Sequence, residues 1–294
     1  MQNIQGIMLV IAAMAGFTVE DMVIKHLSQA VPVGQILVLI GFSSAMIFAV
    51  MSAIRGQSVL ARAAWRPIFL VRAIAEATAA MAFVTALSLV DISVVAAVFQ
   101  ATPLVITMGA ALFLGEAVGW RRWSAIALGL VGVLMIIRPG LSGFEPDALF
   151  VLISVCAVAT RDLVTRRIDV AVSSTVVSFQ GFAAVIPAGA AMLLVSGTAP
   201  VSMSWDEVAM LLVAIVFGAL AYYAIVQAMR IGDAGAVTPF RYTRLLFSLL
   251  VGVLVFGERP DPLTLLGAAL VIGTGLYTFL REHRLARRAR RIAG

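Results

Sequence analysis

Apolar residues fall into ten long runs, at about 4–24, 34–54, 67–90, 92–114, 122–138, 147–168, 173–195, 207–229, 234–256 and 262–280. Each is near the ~20 residues a helix needs to cross the hydrocarbon core of a bilayer. None alternates with the period of two expected of a membrane β-barrel strand. A helix satisfies its own backbone in lipid, so the pattern predicts an all-α membrane protein with ten transmembrane helices. The first run lacks a basic leader and carries Glu20 and Asp21, so it reads as a span and not as a cleaved signal. No stretch between the runs is long or polar enough for a separate soluble domain.

Composition supports this and narrows the chemistry. Of 294 residues, 62% are hydrophobic and 12% charged, against about 25% charged in ordinary soluble domains. The mean hydropathy is +1.06. Cys156 is the single cysteine, which excludes an internal disulfide and a cysteine metal cluster. The two histidines, His26 and His283, fall at membrane faces and form no Ser-His-Asp set. The sequence has no HExxH and no Gly-rich phosphate loop ending in Lys-Ser/Thr, so no ATP motor is encoded. No cofactor and no metal are expected, and any transport runs on gradients or is passive.

The net charge of +6 invites a nucleic-acid reading until its placement is considered. One set of loops holds Arg55, Arg62, Arg66, Arg121, Arg122, Arg161, Arg166, Arg167 and Arg230. The C-terminal tail adds Arg281, Arg284, Arg287, Arg288, Arg290 and Arg291, which brings that side to fifteen basic residues. The other side holds only Lys25, Arg138 and Arg259. Fifteen against three places both termini in the cytoplasm. The charge is a topology signal, with a tail suited to anionic lipid, and no nucleic-acid partner is expected. The expected location is a bacterial inner membrane.

The halves repeat at a constant offset of 142 residues. Thr18-Val19-Glu20 with Lys25 matches Thr160-Arg161-Asp162 with Arg167; Asp91 matches Asp233; Leu112-Phe113-Leu114-Gly115-Glu116 matches Leu254-Val255-Phe256-Gly257-Glu258. Five helices per repeat is an odd number, so the second repeat enters the membrane inverted. Inverted repeats are an architecture of secondary transporters, with the substrate near the midplane. The expected organisation is residues 1–142 and 143–280 as two five-helix repeats, with 281–294 a basic cytoplasmic tail.

Gln100-Ala101-Thr102-Pro103 leading to Leu114-Gly115-Glu116, then Gly129-Leu130-Val131-Gly132-Val133, resembles the EamA repeat of the drug/metabolite transporter superfamily. Thr238-Pro239-Phe240-Arg241-Tyr242 leading to Phe256-Gly257-Glu258-Arg259 resembles its second copy. The resemblance covers essentially the whole chain. It implies a ten-helix exporter or exchanger of amino acids, metabolites, nucleotide sugars or drugs. In size and layout the chain is similar to the aromatic amino-acid exporters of that superfamily. Pro103 has no proline at its offset position, Leu245, so the two halves need not kink alike.

Charges at bilayer depth are costly and normally face a bundle interior or a cavity. Arg72 and Glu76 share a face of the third span, where Glu76 is either half of a structural pair or a proton or ammonium site. Arg241 and Arg244 share a face of the ninth span, Arg244 near the midplane and Arg241 able to snorkel. They call for an anionic partner: Glu76, Asp162, or a substrate carboxylate or phosphate. Gln100 and the aromatic residues Phe83, Phe99, Tyr222 and Tyr223 complete the candidate substrate site. Glu20 and Asp162 are candidate gate contacts or interfacial charges, and Glu116 and Glu258 are read as caps and turn anchors. Pro103, Pro187 and Pro239 are candidate bends, freeing the carbonyls of Phe99, Ala183 and Gly235. Small residues (Ala125, Gly129 and Gly132 on the fifth span, Ala269 and Gly273 on the tenth) mark packing faces for peripheral struts or a dimer.

These features predict a secondary transporter, not an enzyme, moving small molecules by alternating access through a cavity between the repeats. Amino acids lead, because a zwitterion needs embedded groups of both signs. Nucleotide-like, flavin-like or drug-like solutes are the alternative, and a lipid-modifying intramembrane enzyme is the alternative class. The chain is expected to act as a monomer or a homodimer.

Overall fold

The computed structural model describes residues 2–60, 65–116, 118–140, 145–165, 167, 172–231 and 238–293. The described residues are helical almost throughout, with no strand among them. The elements are α1 (Gln2–Leu27), α2 (Val33–Ile54), α3 (Pro67–Leu89), α4 (Ile92–Phe99), α5 (Thr102–Leu114), α6 (Trp120–Ile137), α7 (Leu149–Thr165), α8 (Ser174–Ser196), α9 (Trp205–Ile231), α10 (Thr243–Val255) and α11 (Pro262–Ala293). Among the described residues nine stretches are long and apolar enough to cross a membrane, with α4 and α5 together forming one of them. The ninth apolar run is entered by a 3-10 turn, Thr238–Tyr242, that leads into α10. Asp233, Gly235 and the expected boundary at 142–143 lie outside the described residues. The last helix runs past the expected end of its span at 280 and continues to Ala293.

Two of the three prolines do not bend a helix. The fourth span breaks after Phe99, and Pro103 sits in the first turn of the helix that follows, where a missing N–H costs nothing. The Phe99 carbonyl expected to be free accepts the Thr102 hydroxyl at 2.5 Å. Pro239 lies in the 3-10 turn before α10, where the Phe240 carbonyl accepts the Thr243 hydroxyl at 2.6 Å. Pro187 stays inside an uninterrupted α8. The prolines differ between halves, yet the path breaks at matched register: Gln100 ends α4, and its offset mate Tyr242 precedes α10.

The chain divides into two compact units: Met1–Val19, Asp91–Pro146 and Phe217–Gly294 in the first, Glu20–Val90 and Asp147–Val216 in the second. Each draws on both sequence halves. In the second unit α2 packs on α8, the helix reached by shifting α2 through the repeat offset. Gly34 lies against Gly189 and Gly41 against Phe182, while Arg55 donates to Thr175, so the two helices run antiparallel. Phe48 stacks on Phe182 at 5.5 Å.

In the first unit α6 packs on its own repeat mate, α11, also antiparallel. Gly132 faces Gly267, and a Cβ on either would come within 2.6–2.8 Å of the other's carbonyl oxygen. Antiparallel packing of repeat mates is the geometry an inverted duplication requires. Ala125, Gly129 and Gly132 are buried as the pattern of small residues predicts. On the tenth span the expected stripe is not the one that packs on α6. Ala269 and Gly273 are exposed, and the closing face carries Gly267, Val271 and Thr274.

Candidate functional site

In the first unit, the break between α4 and α5 brings Phe99 and Gln100 beside α1 and α10. Phe17, half-buried, packs against a buried cluster on α1 and α9 that includes Val10, Ala13, Met14 and Ala221; Gly16 admits the close approach of Ala221. The Arg244 guanidinium lies over the Phe17 ring at 5.4 Å and over the Phe99 ring at 5.6 Å. A ring face attracts a cation by about 0.5–2 kcal/mol, more when water is excluded, so the two rings hold the guanidinium at depth. The Gln100 amide reaches the Arg241 carbonyl at 3.4 Å. The Arg241 side chain is exposed, and that of Arg244 is half-buried. Tyr242 turns toward α11, where any side chain at Gly275 would strike its hydroxyl. On α9, Tyr222 is half-buried and Tyr223 is 56% exposed.

The second unit holds a separate charge cluster. Arg72 and Glu76 of α3 pair at 3.4 Å, as their spacing predicts. Arg161 of α7 reaches the other Glu76 oxygen at 2.8 Å, and its Nε donates to Asp162 at 2.8 Å. Arg72 also donates to the Thr165 hydroxyl at 3.0 Å and the Val177 carbonyl at 3.3 Å, so α3, α7 and α8 are tied at one point. Gly181 makes room, because a Cβ there would lie 3.1 Å from Glu76 Cγ. Both Glu76 oxygens are thus engaged by guanidinium groups. Phe83 and Glu20 lie half-buried in this unit, on α3 and α1.

Three further polar contacts lock helix ends. Lys25 donates to the Leu87 and Val90 carbonyls at 3.2 and 2.5 Å, satisfying the C-terminus of α3. Asp261 caps α11 through the Leu263 and Thr264 amides and pairs with Arg138; that pairing foremost, helped by the caps and opposed by burial, holds its carboxyl well below the ordinary range. Glu258, buried at 7% exposure, accepts from the Ile92 amide at 2.6 Å and from the Ser93 amide and hydroxyl at 3.1 and 2.6 Å. Glu258 is therefore a cap, as the sequence suggests, but on a helix 166 residues away in the chain.

Two residues of these clusters escape the sequence reading. Phe17 is one phenylalanine in an apolar run, with nothing local to mark it. Arg161 counts among the loop charges because its run loses hydropathy there, yet it lies inside α7. Moving it leaves fourteen loop and tail charges on that side, so the imbalance keeps its sense. Its offset mate is Val19 and its neighbour is Asp162, and that break in the repeat was the available signal.

The chain matches the EamA-like transporter family twice, at residues 4–138 and 146–280. It is 31% identical to the riboflavin transporter of Rhizobium johnstonii over 76% of this chain and 73% of that protein. It is 26% identical to the S-adenosylmethionine uptake transporter of Rickettsia conorii, over 69% and 68%. The pseudopaline exporter of Pseudomonas aeruginosa is 23% identical over 91% and 93%. A crystal structure at 21% identity shares the fold, with a TM-score of 0.61 over 93% of this chain and 98% of its own. Two family repeats spanning nearly all of a chain of apolar helices make this a multi-pass bacterial membrane protein that belongs to the EamA-like transporter family of small-molecule transporters.

Proposed function

We propose that the chain is a secondary transporter of small zwitterionic metabolites, amino acids foremost and aromatic ones in particular. Transport runs by alternating access, and the Arg244 cluster receives the substrate carboxylate. One observation carries the reading: Arg244 is held over the rings of Phe17 and Phe99, next to the interrupted backbone at Gln100. A guanidinium presents a planar fork that matches a carboxylate. The neighbouring rings offer stacking surface to an aromatic side chain. Irregular turns at matched register, Gln100–Ala101 in one repeat and Thr238–Tyr242 in the other, are the kind of feature that transporters of this architecture place at their substrate site. S-adenosylmethionine, named for a relative, itself carries an amino-acid head group.

A flavin-like solute is the second reading, supported by the Rhizobium relative and by the same rings, which stack on a planar heterocycle without a carboxylate. Counterflow in proteoliposomes decides between the two. Vesicles preloaded with unlabelled phenylalanine should accumulate labelled phenylalanine, and riboflavin should compete weakly. Accumulation of riboflavin alone selects the second reading. Covalent turnover of labelled lipid without any counterflow would overturn transport in favour of an enzyme.

A further inference from the structure

We propose that Glu258 is a positioning residue that sets the place of Phe99 and Gln100 by acting through α4. The inference rests on the reading of the Arg244 cluster as the substrate site. Helix α4 spans only Ile92–Phe99. Two turns, about 12 Å long, have little stability of their own, because nucleation is costly and few bonds follow it. Such a helix stays where its ends are held.

Both ends of α4 are held by the second repeat. At the C-terminal end, Phe99 lies under Arg244 and Gln100 reaches the Arg241 carbonyl. At the N-terminal end, Asp91 occupies the cap position, but its side chain makes no cap hydrogen bond. The Glu258 carboxylate does that work instead, taking both leading amides and the Ser93 hydroxyl from a buried position. Bonds from amides to a carboxylate are about twice as strong as neutral ones, and a negative group at a helix N-terminus also meets the positive end of its dipole.

The carboxylate is itself fixed. The Glu258 amide donates to the Gly252 carbonyl at 2.9 Å, and Gly257 turns the chain at φ +67°, a conformation that favours glycine. Gly252 leaves the space the carboxylate fills: a Cβ there would strike the carboxylate oxygen and lie 2.9 Å from its Cδ and 3.3 Å from Ile92. Glu258, Gly252, Arg241 and Arg244 all lie on or beside α10. Helix α4 is therefore a short strut braced against one neighbouring segment at both ends.

The test uses the full-length protein carrying Cys156→Ser and Gln100→Cys, a background that lacks the Gln100 contact to Arg241 and so isolates the brace at the N-terminal end of α4. Glu258→Ala should change the thiol-labelling rate at position 100 by about threefold or more, as expected for local release of one element. Gly252→Ala, which displaces the carboxylate without removing it, should do the same. In the Glu258→Ala background the Gly252 substitution should add nothing. Ser93→Ala should give a smaller change, and it is the variant to use if the others fold poorly. With the native glutamine at position 100, Glu258→Ala should raise the KM of the solute that shows counterflow by about tenfold, the value of a charge-assisted contact. An unchanged labelling rate in Glu258→Ala and Gly252→Ala, or full additivity of the two, overturns the strut. A changed rate with an unchanged KM leaves the strut standing and instead overturns the Arg244 cluster as the substrate site.

Discussion

Arg161 and Glu76 meet at 2.8 Å across α7 and α3, and Arg72 closes on the opposite Glu76 oxygen at 3.4 Å. One carboxylate thus holds two guanidinium groups, with side-chain exposures of 13–25% across the three residues. Removing one member of such a cluster leaves the others desolvated and short of charge.

Glu76→Gln should accordingly lower stability in detergent by about 2 kcal/mol, the order expected for one partly buried, charged, hydrogen-bonded partner. Exchange and the response to a pH gradient should fall together, in proportion to folded protein. Arg161→Met added to Glu76→Gln should cost less than the two separate losses combined. Loss of the pH response alone, with exchange intact, would make Glu76 a proton carrier and not a tie between helices.

At Arg244 the expectation is chemical. Lysine keeps the charge but loses the planar fork, so Arg244→Lys should impair transport strongly. Arg244→Gln should be worse, with expression little changed. The same lysine swap at the exposed Arg241 should be mild. Counterflow rates normalised to purified protein would settle it: full activity in Arg244→Gln, or equal tolerance at both positions, removes α10 as the source of the anion site.

What could be read from sequence follows from what leaves a local trace. Spans are visible because lipid demands long apolar runs, and the duplication because Glu116 and Glu258 share an offset with Asp91 and Asp233. The same offset correctly pairs local details such as the Thr18 and Thr160 hydroxyls, which donate to the carbonyls of Met14 and Cys156. Contacts between distant elements leave no such trace. Phe17 became a partner of Arg244 only when α1 was placed beside α10. Asp91 has the residue type of a cap, and nothing nearby hints that Glu258 replaces it. Pro103 read as a kink because its hydropathy run is continuous across the break at Gln100 and Ala101. Spacing alone did not distinguish the face of α11 that buries Gly267 from the one that exposes Gly273.

Asp261 gives a pH prediction outside the spans. Arg138 and the caps at Leu263 and Thr264 hold its folded carboxyl below its unfolded value. A depressed carboxylate contributes stability above the unfolded pKa and loses it as pH falls toward the folded one. Asp261→Asn keeps a side chain able to cap α11 but removes the charge that pairs with Arg138, so it should destabilise the protein by about 0.5 kcal/mol at neutral pH, the order of an exposed ion pair. The gap between variant and parent should stay constant from pH 8 to pH 5 and narrow only below about pH 4. Thermal unfolding of both proteins across that range is the measurement. A gap that narrows already between pH 7 and pH 6 would show that Asp261 is not the group responsible.

The antiparallel packing of α2 on α8 and of α6 on α11 makes the membrane topology testable at three points. Each of these helices lies beside its own repeat mate running the other way, which requires the repeats to enter from opposite faces. Combined with the basic-residue imbalance, that predicts both termini in the cytoplasm. A reporter fused after Gly140 follows five spans and should read external. One after Pro200 follows seven and should also read external, whereas one after Gly294 should read internal. Alkaline phosphatase and a fluorescent protein give opposite signals at each junction, so every fusion is checked twice. An internal reading after Gly140 with an external one after Pro200 would mean that one of the first five spans and one of α7 and α8 do not cross. An external C-terminus would undo the even number of crossings.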